Sequence, residues 1–159
     1  MGPAVVRYNR CVRVTVMLLC ALALAGCDAS GDDSEPAWSR PPAPSAEGAV
    51  SVDGFVEYQE GVQEPWERSA ALAAGEFLRL DERTATRTTI DARAEPGEGV
   101  GPQVVVVTLD GLLDDSVRAE RWTLRFGQED DVYVLTEALR EQRCQPGRGH
   151  QGFSPAACV

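Results

Sequence analysis

The sequence predicts an α+β fold: one N-terminal helix packed on a four-stranded antiparallel meander sheet. Three observations carry this. Residues 65–80 place apolar side chains at helical spacing. Residues 84–94, 104–109, 120–126 and 132–144 instead read as strands, most of them with a two-residue alternation. The segments between these strands are short and rich in Gly and Asp, which favours antiparallel neighbours over long crossovers.

Taken in order, residues 52–58 read as a short strand or an extended lead-in. Pro65 and Trp66 then open the helix. Glu64 and Glu67 near its start and Arg79 near its end match the helix dipole. Trp66, Ala70, Ala73, Ala74, Phe77 and Leu78 gather on one side, and Gly75 weakens the helix slightly. In the first predicted strand Thr86, Thr88, Ile90 and Ala92 point one way, and Arg87, Asp91 and Arg93 the other. Pro96-Gly97-Glu98-Gly99 breaks it. The valine run of 104–107 is the strongest strand signal and looks central. Asp110-Gly111 reads as a turn or bulge, and Asp114-Asp115-Ser116 as a second turn. Glu120, Trp122, Leu124 and Phe126 then alternate with Arg121, Thr123 and Arg125. Residues 127–131 turn the chain into the last long strand, where Tyr133 and Leu135 lie opposite Val132 and Val134. Half-polar strands imply one wet face and one covered face, with the helix as cover. This order of elements is similar to cystatin-like and NTF2-like architectures, a likeness of layout that brings no function with it.

The N-terminus has a different character. Arg7, Arg10 and Arg13 precede an apolar run of 12 residues, 14–25, and no acid occurs before Asp28. The run fits the core of an export signal and is shorter than the roughly 20 residues a spanning helix needs. It ends in Leu24-Ala25-Gly26-Cys27, which closely resembles the lipobox of bacterial lipoproteins. The resemblance implies a diacylglycerol on the Cys27 sulfur and cleavage before it. The signal peptide is then 1–26, and the protein is held on a membrane outside the cytoplasm. Two or three acyl chains suffice for a stable anchor, at about 0.8 kcal/mol per buried methylene. Asp28 after the modified cysteine resembles the signal for retention at the inner membrane of Gram-negative cells, on its periplasmic face. Residues 27–49, with Asp32, Asp33, Glu35, Pro36, Pro41, Pro42 and Pro44, read as a disordered acidic tether, and 50–159 as the folded domain. Trp38 is its one large apolar residue, placed to dip into the membrane interface or to touch the domain.

Loss of Arg7, Arg10 and Arg13 with the signal takes the formal charge from −10 to −13, and the chain has no Lys. Such an acidic surface argues against nucleic acid as a partner, and favours solubility and cationic partners. Of the five cysteines, Cys11 and Cys20 leave with the signal and Cys27 takes lipid. Cys144 and Cys158 remain to pair in an oxidising compartment, a closure worth about 3 kcal/mol by the chain-entropy model.

No residue pattern specifies a catalytic site, and no cofactor is expected. His150, the only histidine, has no nucleophile elbow to serve. Cys144, His150 and Cys158 are possible zinc ligands, but the disulfide competes for both sulfurs and the expected metal is none. Arg148, His150 and Phe153 in the Gly-flanked tail form a candidate ligand-contact loop for an anion or a glycan, set against an ordinary solvated disulfide loop. Gly97-Glu98-Gly99-Val100-Gly101 precedes a strand rather than a helix, so it lacks phosphate-loop geometry. Asp110, Asp114, Asp115, Asp130 and Asp131 offer paired-carboxylate or calcium chemistry, although turns favour Asp for backbone reasons. Trp66, Trp122, Phe126 and Tyr133 are core aromatics or the lining of a helix-on-sheet pocket. Two functions follow. The first is a non-catalytic envelope module that binds an envelope protein or glycan. The second is a small-ligand carrier or enzyme using the pocket.

Overall fold

The computed structural model describes residues 38–95 and 101–159. The chain divides into two units, Met1–Asp33 and Ser34–Val159, and all described residues belong to the second. The signal peptide, Cys27 and most of the 97–101 glycine stretch lie outside the described residues.

The domain is α+β, with two α-helices and one open five-stranded antiparallel sheet. The elements are β1 (Ala49–Val50), α1 (Asp53–Gly61), α2 (Ala70–Leu78), β2 (Ala85–Ala94), β3 (Gln103–Leu112), β4 (Val117–Glu129) and β5 (Val132–Cys144). Their spatial order is β1-β5-β4-β3-β2, so β2 to β5 form the expected meander and β1 adds a fifth strand beside β5.

Two helical expectations change. The stretch read as a strand or lead-in is α1. Its sequence is polar apart from Val, Phe and Tyr, so its period is weak, but Phe55 and Gln59, four apart, bury one face. Gln59 clamps that face to β5: its amide donates to the Tyr133 carbonyl at 3.1 Å, and its oxygen accepts the Leu135 N–H. The second change splits the single helix predicted over 65–80. Pro65–Arg68 forms a 3-10 turn, with the Glu67 carboxylate accepting the Glu64 N–H. Ser69 then turns extended (φ −141°, ψ 115°) and its hydroxyl accepts the Leu72 N–H, restarting the chain as α2.

The helices cover one face of the sheet. Alternation and register place Val105, Val107, Trp122, Leu124, Phe126, Tyr133, Leu135 and Ala138 under Phe55, Ala73, Ala74, Phe77 and Leu78, all of them buried. β3 is interior as predicted, although β4 is the middle strand. Asp110-Gly111 is neither turn nor bulge but continues β3. The turn falls after it, where Asp114 Oδ1 accepts the N–H groups of Ser116 and Val117. The β4–β5 turn is only Asp130-Asp131, with Asp130 in the left-handed region that Asp tolerates. The expectation of one covered and one wet face fails on β2. From Thr86 to Ala94 it is exposed on both sides, outside the buried cluster that the helices make with β3, β4 and β5.

The folded part starts earlier than composition places it. Trp38 stacks on Phe77 and meets Phe55 edge-on, and its indole N–H donates to the Phe77 carbonyl at 2.8 Å. Gly48 sits at φ +87°, where a Cβ would lie 2.6 Å from the Arg140 carbonyl oxygen. Residues 38–49, assigned to the tether, therefore pack on the domain. Trp38 supplies the burial that the prolines lack.

Candidate functional site

The most organised polar cluster lies at the edge of the covered face. Glu120 and Trp122 are two apart on β4, so both side chains point to the helix side. Register places Arg140 of β5 opposite Trp122 and Gln142 opposite Glu120. Arg83, just after a 3-10 turn that follows α2, completes the set.

Arg83 Nη1 donates to Glu120 Oε2 at 2.7 Å, and Arg140 Nη2 to Glu120 Oε1 at 2.6 Å. Trp122 Nε1–H donates to Oε2 at 3.0 Å. Both guanidinium groups also stand over the indole, 5.6 and 6.0 Å from its centroid. Burial opposes the charge on Glu120, but Arg140 and Arg83, with the Trp122 N–H, hold its carboxyl below the usual carboxylate range. A carboxylate held ionised and filled by donors is a poor proton carrier at neutral pH.

Above this cluster opens a cavity of about 470 Å³ lined by Arg40, the Pro41–Pro44 segment, Arg83, Glu120, Trp122 and Arg140. The lining holds three arginines and one glutamate, two of the arginines already paired with it, so it carries excess positive charge on an acidic chain. With planar donors backed by the buried indole beneath them, the cleft suits a carboxylate or another anion.

The tail residues singled out from the sequence are engaged separately. Cys144 and Cys158 stand at disulfide distance, their Cα atoms 5.4 Å apart. His150 ring nitrogens lie 2.9 Å from the carbonyl oxygens of Gly152 and Ala156. Only the doubly protonated ring donates to both. Those two carbonyls, Ala156 first, raise its pKa above the ordinary 6.5. Phe153 lies under two arginines of the outer face, 4.4 Å from Arg121 and 5.3 Å from Arg143. Arg148 contributes backbone contacts to Gln145 and Val159. The sulfurs and the His150 ring do lie within 4.8 Å of one another. A bonded sulfur pair has no thiolates to give a metal.

Four of the five candidate carboxylates have structural roles. Asp110 binds Arg143 at 3.0 Å and Arg87 at 3.3 Å, Asp114 caps its turn, and Asp130-Asp131 make the hairpin. Trp122, Phe126 and Tyr133 belong to the core, and Trp66 stacks on Tyr58 at its margin. The space between helices and sheet is filled by Phe55, Phe77, Trp122 and Phe126. Of the cleft residues, Trp122 alone is a site candidate from sequence; Arg40, Arg83, Glu120 and Arg140 belong to no motif. The available signal was a charged residue, Glu120, at an inward position of an otherwise apolar alternation. No protein-family model, curated protein or solved structure matches the chain, and its function is read from its own residues.

Proposed function

We propose that the chain is the precursor of a bacterial lipoprotein, anchored outside the cytoplasm by lipid on Cys27. Its domain is a non-catalytic module that binds a carboxylate-bearing envelope protein or glycan in the Arg40–Arg83–Arg140 cleft. The observation that carries the binding reading is the cleft itself: three arginines line it, with the one carboxylate already filled by donors. The anchor rests on the lipobox resemblance. Among the described residues no helix is long and apolar enough to cross a membrane. In a Gram-negative cell, Asp28 keeps the protein on the periplasmic face of the inner membrane. There Cys144 and Cys158 form a stable disulfide. The overall acidity disfavours nucleic acid, and the cleft is a local exception to it.

The rival, a carrier or enzyme with a pocket between helix and sheet, is disfavoured by the aromatic side chains that fill that space. The order of helices before an antiparallel meander is what suggests a cystatin-like or NTF2-like layout, which brings no function with it. The test has two arms. Mass spectrometry of the N-terminal peptide is expected to show Cys27 as the first residue carrying a diacylglyceryl mass, absent in Cys27→Ala. A photocrosslinking side chain at Arg40 in whole cells is expected to trap one specific partner, not trapped from Arg148. An unmodified, uncleaved N-terminus sinks the anchor. Identical adducts from both positions sink the cleft.

A further inference from the structure

The two edges of the sheet are finished differently. On the β5 edge, β1 pairs Ala49 with Leu139 and Val50 with Ala138, and farther along Ser154 bridges Gln142. Beyond β2 nothing pairs among the described residues. β2 runs for 10 residues, and its register with β3 shifts nowhere between Ala85↔Leu112 and Ala94↔Gln103. It holds no Pro and no Lys, and Ile90 is 46% exposed on the helix side. Shortness, proline, lysine and a bulge are missing as edge-blunting devices, and Arg87, Asp91 and Arg93 leave charge of both signs as the remaining one, so the strand is a template only for a partner whose charges match.

We propose that β2 pairs antiparallel with the β2 of a second copy, centred on Thr89. The argument is charge complementarity. A two-fold axis normal to the sheet keeps every residue on its own face, so the centre falls on a residue rather than between two. Centring on Arg87 or Asp91 sets like charge on like charge. Centring on Ile90 sets Arg87 against Arg93, and centring on Thr88 leaves Arg87 and Asp91 facing Thr89 and Ala85. Centring on Ala92 also sets opposite charges together, Asp91 on Arg93, but pairs only Ile90 to Ala94 of the strand. Centring on Thr89 places Arg87 of each copy opposite Asp91 of the other, twice by symmetry, with Arg87 exchanging Asp110 and Asp91 exchanging Arg93 as partner, both of them exposed surface pairs. It also sets Ile90 beside the other copy's Thr88 and makes the two Ile90 side chains diagonal neighbours on the helix side. The outcome is one continuous sheet with both helical layers on the same face.

The test uses the full chain extracted from whole cells in mild detergent. Thr89→Cys is expected to give a disulfide-linked dimer on a non-reducing gel. Arg93→Cys, eight residues from its copy along the paired strands, stays single. Thr89 is exposed and its replacement leaves the core untouched. In sedimentation the native chain is expected to be a dimer. Arg87→Glu is expected to weaken it at least tenfold, and the added Asp91→Arg to restore it by recreating the opposite-charge pair. Four results overturn the proposal: a monomer at every concentration, Thr89→Cys linked no better than Arg93→Cys, Thr89→Cys linked to a different protein, or no rescue by the double variant.

Discussion

Replacing Glu120 by Gln removes a charge from a place where two cations depend on it. Its side chain is 12% exposed, and those of Arg83 and Arg140 are 29% and 23% exposed. Stranding a charge by removing its buried partner costs about 3–5 kcal/mol. Water reaches both arginines in part, and the amide keeps an acceptor oxygen, so the loss here is about 2 kcal/mol. With a urea slope of about 1–3 kcal/mol per molar, the midpoint falls by about 1 M at pH 7. The pH dependence sharpens the expectation. The folded-state pKa of Glu120 lies below its ordinary value of 4.5. Its contribution is therefore complete above about 4.5 and is lost as pH falls through the lower folded-state value. The gap between native chain and E120Q must narrow on acidification. Urea titrations followed by tryptophan fluorescence at pH 7 and pH 3 measure both. A gap under about 0.5 kcal/mol at pH 7, or one unchanged at pH 3, refutes the reasoning.

Three other outcomes follow from the packing. Trp38→Ala loses two aromatic contacts and a hydrogen bond, and is expected to cost about 2–3 kcal/mol in the same titration; a neutral effect means that residues 38–49 are only a tether. Reducing the Cys144–Cys158 pair is expected to lower stability by about 3 kcal/mol and to expose the tail to proteolysis, checked by thermal melts with and without a dithiol. His150, the chain's only histidine, is expected to titrate above 6.5 in an NMR pH series. Its stabilisation is full below the unfolded value and disappears as pH rises through the raised folded value, a dependence that H150Q abolishes.

The meander was legible because each strand carries its own evidence. The alternation of Glu120, Trp122, Leu124 and Phe126 is local, and residues 132–144 become β5 without change of bounds, although its alternation shifts by one residue between Leu135 and Ala138. α1 was not legible, since its helical face consists of Phe55 and Gln59 and its stability comes from contacts with Tyr133 and Leu135, far along the chain. β1 escaped for the same reason: two residues form a strand only because β5 offers them an edge. The cleft joins Arg40, Arg83, Glu120 and Arg140 from four separate segments. No spacing rule connects them, and only the β4–β5 register and the packing of Trp38 bring them together. The tail histidine drew notice for being unique. Its ring is spent on two backbone carbonyls of its own loop.

The sealing of the β5 edge by Ala49, Val50 and Ser154 has a consequence for how far association can run. A sheet open at both ends offers a fresh template after every addition, and growth along it yields filaments. A sheet open at one end has nothing left to offer once that end is used. The two residues of β1 and the Ser154 bridge thus act as a chain terminator, making any pairing through β2 finite.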